Sequence, residues 1–388
     1  MWSQFNNAAY DIYASYFNGT TWGTAELIET GTNDANSPQV SFDGSGNAIA
    51  VWRARPGPAG VYRIWSNRFN GTSWGNAELI GTGDDSNAGD TQIAVDSSGN
   101  AIAVWHQEDT NGVDNIWANH FDVNRSGGPG WGTAELIEIN DVGDAADSQV
   151  AIDSSGHAIA VWRQFDGSVY NIWANRFNGI IWGTAQLIEN DDVGNANSPQ
   201  VGVDSSGNAI VVWQQTVITS TAGVYVPAWA NRFNGSSWGT PELIGIGTYE
   251  SNARLSQVSV NSSGHAIAVW QQYDGTTESI YANRFDGTSW GTAELIETND
   301  NGSADLAQVA VDSSGNAIAV WRQFDGSVYN IWANRFNGII WGTAQLIEND
   351  DNGGADDPQV EIDSSGNATA VWSKAINSDR SIYANRFK

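Results

Sequence analysis

Apolar and polar positions along this chain repeat with a period of 51 to 57 residues. Each repeat contains four short segments of β-strand character, which we call strands A to D in chain order. A tryptophan closes the second apolar segment of every repeat, at Trp52, Trp105, Trp162, Trp213, Trp270, Trp321 and Trp372. A period of this length with four strands per unit predicts a β-propeller in which each repeat forms one blade.

The repeat at residues 308–348 shows the pattern most clearly. Residues 308–312 alternate between apolar and polar side chains and predict strand A. Residues 317–321 are apolar on both faces, which is typical of a strand covered on both sides, and they predict strand B. Residues 329–336 and 341–348 predict strands C and D, joined by an Asn-Gly hairpin turn.

The strand count favours seven blades. We predict an all-β, seven-bladed propeller of four-stranded antiparallel blades, in which the N-terminal strand D at residues 22–29 completes the last blade. Eight blades are the alternative, and they would require one blade without an inner strand A. The single predicted domain covers residues 1–388, with repeats at 39–91, 92–148, 149–199, 200–256, 257–307 and 308–358, and with 359–388 plus 1–38 closing the ring.

Composition restricts the partners. The chain has 44 acidic and 16 basic residues, a net charge of −28 and no cysteine. This balance argues against nucleic acids and anionic membranes, because both need clustered Lys and Arg. No apolar run predicts membrane insertion. We recognise no signal peptide in the chain, and its composition favours a secreted or extracellular protein.

No cofactor is predicted, with Ca²⁺ as the one candidate ion. Carboxylates suit Ca²⁺, and they cluster in the D–A loops. These loop residues are Asp84, Asp85, Asp141, Asp144, Asp191, Asp192, Asp300, Asp350, Asp351, Asp356 and Asp357. No loop has the spacing of an EF-hand, so a solvated acidic rim is the favoured interpretation.

The repeat unit resembles that of sialidase-type, Asp-box β-propellers. Its C–D hairpins, such as Phe-Asn-Gly-Thr-Ser-Trp at 69–74 and Phe-Asp-Gly-Thr-Ser-Trp at 285–290, are degenerate forms of the Asp-box. The resemblance implies the propeller fold and a function among hydrolases, lectins and non-enzymatic modules. The catalytic set that it implies is not found, because most arginines fall at one repeated position: Arg68, Arg176, Arg232, Arg284, Arg335 and Arg386.

The candidate ligand-binding residues follow the strand B tryptophans. Strand B ends beside the B–C and D–A loops, which vary between repeats while the other turns do not, and variable loops on a rigid scaffold carry binding. Amide and guanidinium donors beside aromatic rings suit sugar hydroxyls and the apolar faces of sugars. The set comprises Arg53, His106, Gln107, Arg163, Gln164, Gln214, Gln271, Arg322 and Gln323.

Three functions follow from this pattern. The favoured one is a non-catalytic binding propeller that binds glycans at several equivalent sites, as a lectin does. The alternative is a structural or protein-interaction scaffold, natural or designed, with a protein partner on the variable-loop face and no small ligand. A glycosidase-like enzyme is the third. Neither a catalytic residue nor a metal ligand is assigned.

Overall fold

The structure is a computed structural model that describes residues 1–29, 34–57, 60–83, 86–139, 142–189, 194–219, 223–246, 252–298, 302–348, 353–376 and 379–387. All regular elements in these ranges are β-strands. The ranges contain no helix that is long and apolar enough to cross a membrane. The chain divides into two compact units, Met1–Leu187 and Ile188–Lys388. The prediction of one domain over residues 1–388 stays a prediction.

The first unit contains four antiparallel sheets, each built from consecutive strands. In the third sheet the C–D hairpin is expanded, so that two short strands, β11 and β12, both pair with β10. Sheet by sheet, the strands are β1 (Trp2–Phe5), β2 (Tyr10–Ala14) and β3 (Glu26–Leu27); β4 (Asp34–Phe42), β5 (Ala48–Arg55), β6 (Arg63–Phe69) and β7 (Glu78–Leu79); β8 (Ala88–Val95), β9 (Ala101–Glu108), β10 (Asp114–Asp122), β11 (Gly130–Trp131) and β12 (Glu135–Leu136); and β13 (Ala145–Ile152), β14 (Ala158–Phe165), β15 (Tyr170–Phe177) and β16 (Gln186–Leu187).

The second unit contains four further sheets of the same plan. Its first sheet has a long B–C loop that forms a separate two-stranded hairpin, β19–β20. Sheet by sheet, the strands are β17 (Ala196–Val203), β18 (Ala209–Gln215), β19 (Val217–Thr219), β20 (Gly223–Tyr225), β21 (Ala228–Phe233) and β22 (Glu242–Leu243); β23 (Arg254–Val260), β24 (Ala266–Tyr273), β25 (Glu278–Phe285) and β26 (Glu294–Leu295); β27 (Ala304–Val311), β28 (Ala317–Phe324), β29 (Tyr329–Phe336) and β30 (Gln345–Leu346); and β31 (Ala355–Ile362), β32 (Ala368–Ile376) and β33 (Asp379–Phe387).

The propeller therefore has eight blades, and the prediction of seven is wrong. The segment predicted to close the last blade belongs to the first, because Glu26 and Leu27 of β3 pair with Ala14 and Tyr13 of β2. Residues 2–5 form a strand of that same sheet, paired along β2. Among the described residues the first blade has strands B, C and D, and the last blade has strands A, B and C.

The predicted strands of the repeat at 308–348 are confirmed, although three of the four differ in length from the prediction. Strand A begins four residues earlier than predicted, at Ala304, and strand B extends to Phe324. Strand D contains only Gln345–Leu346, and Trp341 forms an isolated bridge with Phe336 at the hairpin.

The A–B turn explains the repeated D-S-S-G-N sequence. One carboxylate oxygen of Asp312 accepts from the backbone N–H groups of Ser314 at 2.8 Å and Asn316 at 2.9 Å, and the other accepts from the Asn316 side chain at 2.8 Å. Gly315 has a φ of +85°, a conformation that side chains disfavour. The repeated turn residues are therefore structural.

Consecutive blades pack a face of larger aliphatic side chains against a face of alanine and tryptophan. Ile267 and Val269 of one blade, for example, form a buried cluster with Ala317, Ala319 and Trp321 of the next. All five are at most 2% exposed. Strand B is apolar on both faces because each face meets a neighbouring sheet.

A repeated asparagine on strand C joins each blade to the preceding one. The side-chain amide of Asn283 donates to the carbonyl oxygens of Ile244 in the preceding blade at 2.9 Å and of Gly291 in its own hairpin at 3.2 Å. The bond to the preceding blade recurs at Asn67, Asn119, Asn175, Asn231, Asn334 and Asn385. The A-N-R-F sequence therefore holds the blades in register.

Candidate functional site

Side chains at the end of strand B alternate between buried and partly exposed positions. Trp162 and Gln164 are buried, whereas Arg163 between them is partly exposed. Because residues i and i+2 of a strand share a face, the indole N–H of Trp162 can donate to the Gln164 side-chain oxygen, at 3.1 Å. The same bond joins Trp105–Gln107, Trp213–Gln215, Trp270–Gln272 and Trp321–Gln323.

The amide of this glutamine reaches the preceding blade. Gln164 donates to Glu138 at 2.7 Å, and Gln323 donates to Glu297 at 2.8 Å. In both cases the carboxylate lies at the end of strand D and is buried. Where the glutamate is absent, a neighbour takes its place, since Gln107 donates to the Thr82 hydroxyl at 2.6 Å. These glutamines link Trp to an acceptor across the blade boundary.

The structure thus separates the nine predicted ligand-binding residues into two groups. Gln107, Gln164, Gln214, Gln271 and Gln323 are at most 7% exposed. The other four are partly exposed and directly follow a strand B tryptophan. We call these four the rim set: Arg53, His106, Arg163 and Arg322.

Arg322 has the most extensive contacts of the rim set. Its guanidinium donates to Asp305 of its own blade at 2.5 and 2.9 Å, and to Asp356 of the following blade at 2.6 Å. It also lies over the Tyr329 ring, 4.4 Å from the centroid. The hydrogen bonds to Asp305 raise the pKa of Arg322 above its ordinary value, which burial opposes. Arg322 is therefore a fixed cation that joins two blades.

Arg163 and Arg53 have the same stacking but different acceptors. Arg163 lies 4.7 Å from the centroid of the Tyr170 ring, and its Nε is 3.0 Å from the Asp147 carboxylate. Arg53 lies 4.9 Å from the centroid of the Tyr62 ring, and its Nε donates to the neutral Asn36 side chain at 2.5 Å. The rim set therefore includes one guanidinium whose strand A acceptor carries no charge.

A β-bulge in strand A positions several of these acceptors. The bulge residue has a positive φ of 47° to 55° in each of the seven strands A that the structure describes, and the residues are Ser37, Asp90, Asp147, Ser198, Leu255, Leu306 and Asp357. Such a bulge redirects a side chain at the cost of backbone strain. Sequence reasoning missed these acceptors, although Asp90 and Asp147 each precede the repeated strand A glutamine by two residues.

His106 lies in an acidic environment that is not repeated. Its Nδ1 is 3.6 Å from the Asp90 carboxylate. Burial raises the pKa of Asp114. The neighbouring Asp144 and Glu108 raise the pKa of Asp114 further, whereas His106 lowers it. A carboxyl group with a raised pKa beside an imidazole is the kind of pair that acid–base chemistry uses.

The described part of the chain contains no group of three or more His, Asp or Glu side chains arranged to hold a metal ion. Of the Asp-rich loop residues, Asp144, Asp356 and Asp357 are described. Burial and the neighbouring Asp356 raise the pKa of Asp357. Eight others lie outside the described residues: Asp84, Asp85, Asp141, Asp191, Asp192, Asp300, Asp350 and Asp351.

Comparison with known protein families gives no match, and neither does comparison with curated proteins. Among solved structures, the chain is similar to a polysaccharide lyase, the PL25 ulvan lyase bound to -[GlcA(1-4)Rha3S]-, with 11% identity, a TM-score of 0.55 and coverage of 86% of this chain and 89% of the lyase. This likeness shows the propeller fold.

Two further solved structures are less similar. A Hadza microbial sialidase has 13% identity and a TM-score of 0.43, covering 87% of this chain and 76% of the sialidase. An α-L-arabinanase from Penicillium chrysogenum, complexed with arabinobiose, has 14% identity and a TM-score of 0.43, covering 73% of this chain and 87% of the arabinanase.

The expectation of a protein without enzymatic activity is overturned by these comparisons. The structures that share the fold include enzymes named for glycans, such as the ulvan lyase. At 11% identity the likeness assigns no reaction to this chain. The comparisons therefore show the β-propeller fold of this chain and assign it no chemistry.

Proposed function

We propose that this chain recognises glycans through the rim set at the ends of its blades. One observation carries the proposal: in three blades a partly exposed guanidinium is held over a tyrosine ring by an acceptor on strand A. A fixed guanidinium is a fork of N–H donors, and such donors bind hydroxyl and carboxylate oxygens without a large loss of side-chain entropy. The fold shared with the ulvan lyase supports the same proposal.

Arg53 is the member of the rim set that we expect to contribute most. Its strand A acceptor is the neutral Asn36, whereas Arg322 contacts two carboxylates. A second arginine, Arg55, lies over the same Tyr62 ring at 4.8 Å and pairs with Asp34. This concentration of cations on an acidic chain favours a glycan that offers oxygen acceptors.

A glycan array with the intact protein tests the proposal. We expect the parent protein to bind a restricted set of glycans, and Arg53→Ala to weaken that binding at least tenfold. Arg232→Ala is the matched control, because Arg232 belongs to the repeated strand C position and stacks on Phe285 at 5.4 Å. The control is expected to bind glycans as the parent does.

Two outcomes contradict the proposal. If no glycan binds the parent, the interaction scaffold replaces glycan recognition as the function. If Arg53→Ala and Arg232→Ala bind equally well, recognition does not involve the rim set. Circular dichroism of each variant establishes that the fold survives.

The same binding glycans allow a test for turnover. New reducing ends released from a bound glycan would show cleavage of that glycan. If the acidic environment of His106 supplies the proton transfer, Asp114→Asn is expected to abolish the cleavage.

An extracellular location of the protein stays a prediction.

A further inference from the structure

One position of strand A lies beside the rim residue of the preceding blade. It is the residue just before the β-bulge, and it is paired in register with the residue that follows the strand B tryptophan. In the last blade this position is Asp356, paired with Ser373, and in the third blade it is Gly89, paired with His106. Asp356 and Gly89 are therefore equivalent positions in two different blades.

The carboxylate of Asp356 binds the guanidinium of the preceding blade. Arg322 donates from Nη1 to Asp356 at 2.6 Å, while its Nε and Nη2 donate to Asp305 of its own blade at 2.5 and 2.9 Å. Both carboxylates belong to the protein, so the acceptors of Arg322 are built into the junction between these two blades.

Arg53 has the same place in the second blade but has neither carboxylate. Its acceptor within the blade is the neutral Asn36, and the third blade offers Gly89, which has no side chain. Among the described residues, Asn36 is the one hydrogen-bond acceptor of the guanidinium, and none of these residues forms an ion pair with Arg53. The terminal N–H groups of Arg53 can therefore bind an acceptor from outside the chain.

The absence of a side chain at Gly89 lets two nitrogen atoms converge. A Cβ atom at this residue would lie 2.8 Å from Nε2 of His106 and 3.1 Å from Nη1 of Arg53, so both nitrogens face the same point. Gly89 is buried, whereas the two side chains that face it are partly exposed. A guanidinium and an imidazole that converge in this way suit an oxygen anion, with the imidazole as a donor when its Nε2 carries a proton.

Arg53 carries a charge that its neighbours do not balance. Arg55 stacks on the same Tyr62 ring, 4.8 Å from the centroid, but it is paired with Asp34 at 2.9 Å. Arg63 projects from the opposite face of this sheet, because successive positions of a strand alternate, and it has contacts of its own. One further carboxylate would give Arg53 the kind of ion pair that Arg55 already has.

The imidazole of His106 has acidic groups beside its other nitrogen. Asp90 is 3.6 Å from Nδ1, the ring nitrogen that does not face Gly89. Asp114 also interacts with His106, and burial raises the pKa of Asp114, with Asp144 and Glu108 raising it further. A raised pKa reduces the negative charge of Asp114 and hence its repulsion of an anion.

We propose that Arg53 and His106 bind a carboxylate of the ligand over Gly89, in the place that Asp356 takes beside Arg322. This inference rests on the proposed function and specifies an acidic sugar as the part of the glycan that the junction recognises. A guanidinium forms paired N–H···O bonds with a carboxylate, which a single hydroxyl group cannot match. Gly89 determines this specificity, because an aspartate at its position would supply the carboxylate from within the protein.

Saturation-transfer difference NMR of the intact protein tests the proposal with sodium D-glucuronate and D-glucose at equal ionic strength. The two sugars differ by a carboxylate in place of a hydroxymethyl group, and we expect glucuronate to bind at least tenfold more tightly. Sodium acetate presents the carboxylate without the sugar. Weaker binding of acetate supports the acidic sugar, whereas acetate that binds as tightly as glucuronate would overturn the assignment to a sugar.

Three variants locate the site. Gly89→Asp places a carboxylate beside Arg53 and is expected to weaken glucuronate binding at least tenfold. Arg53→Gln removes the charge, is expected to have the same effect, and serves as the second variant if the aspartate does not fold. Arg68→Ala is the matched control, because Arg68 lies in the same blade and stacks on Phe121 of the third blade at 5.4 Å. This control removes a cation from the same junction and is expected to bind glucuronate as the parent does.

Equal binding of glucose and glucuronate overturns the proposal, and so does glucuronate binding that persists unchanged in Gly89→Asp and Arg53→Gln. Both results differ from a failure of the proposed function. A protein that binds glucuronate but no glycan on the array retains the carboxylate site and loses glycan recognition. A protein that binds neutral glycans but not glucuronate retains glycan recognition and loses the carboxylate site.

Discussion

Arg163 and Arg322 occupy the same place in two identical 35-residue segments, yet they have different acceptors. Arg322 contacts Asp305 and Asp356, whereas Arg163 contacts Asp147 of its own bulge. The acceptors lie on strand A, outside the identical segments. The duplicated sequence therefore produces two arginines with different electrostatic roles.

We expect Arg322→Ala to destabilise the protein more than Arg163→Ala. The first substitution leaves Asp305 and Asp356 without their shared cation, and hydrogen bonds to charged groups contribute about 1.5–3 kcal/mol each when both partners are present. The second removes the more exposed ion pair with Asp147, for which about 0–1 kcal/mol is usual. Urea denaturation of both variants measures the difference, and equal losses would show that the Asp356 contact adds nothing.

The sequence predicts that Gln323 binds ligand, whereas its buried position between Trp321 and Glu297 predicts a contribution to stability. Replacing it with leucine removes the amide that binds Glu297 and the acceptor of the Trp321 indole N–H. A buried carboxylate deprived of its donor costs about 1–3 kcal/mol or more. We expect a loss of that size in urea denaturation with glycan binding unchanged. Weakened glycan binding at full stability would restore Gln323 to the site.

The strand B tryptophans are expected to dominate stability. Trp270 is fully buried and its ring stacks on Tyr281 with 6.4 Å between the centroids. Trp270→Ala should lower the free energy of unfolding by about 3–5 kcal/mol, the usual range for a core aromatic. Trp22, which is 46% exposed, serves as the control, and Trp22→Ala should cost much less. A loss below about 1 kcal/mol at Trp270 would contradict this assignment.

Glu29 should make the stability depend on pH. Burial and the neighbouring Asp11 raise its pKa to about 8 in the folded chain, against an ordinary value of 4.5. Between these values the folded chain binds a proton that the unfolded chain does not, so stability decreases as the pH rises from 4.5 to about 8. The slope is at most about 1.4 kcal/mol per pH unit.

Denaturation at several pH values measures this slope. Glu29→Gln should flatten it, whereas Glu26→Gln, at an exposed position of β3, should leave it unchanged. Parent and Glu29→Gln curves of the same slope would show that Glu29 is ionised in the folded protein.

Much of the repeat could be predicted from sequence because its signals are local. Strand C at Tyr329–Phe336 was predicted with its observed bounds, since a tight turn follows it directly. Asn337 accepts there from the backbone N–H groups of Ile339 and Ile340, both at 3.0 Å. Turn chemistry and strand alternation act over a few residues, so they are visible in a single sequence.

The number of blades and the acceptors of the candidate site were decided only by tertiary structure. Strand D is two residues long, and the pairing of Leu27 with Tyr13 rather than with the last repeat depends on which sheet edge lies beside it. Arg322 meets Asp356 because consecutive blades stack, although the two residues are 34 positions apart. The sequence determined the repeated unit through local hydrogen bonds and apolar periodicity. The contacts between units arise from packing of distant segments, which no local pattern encodes.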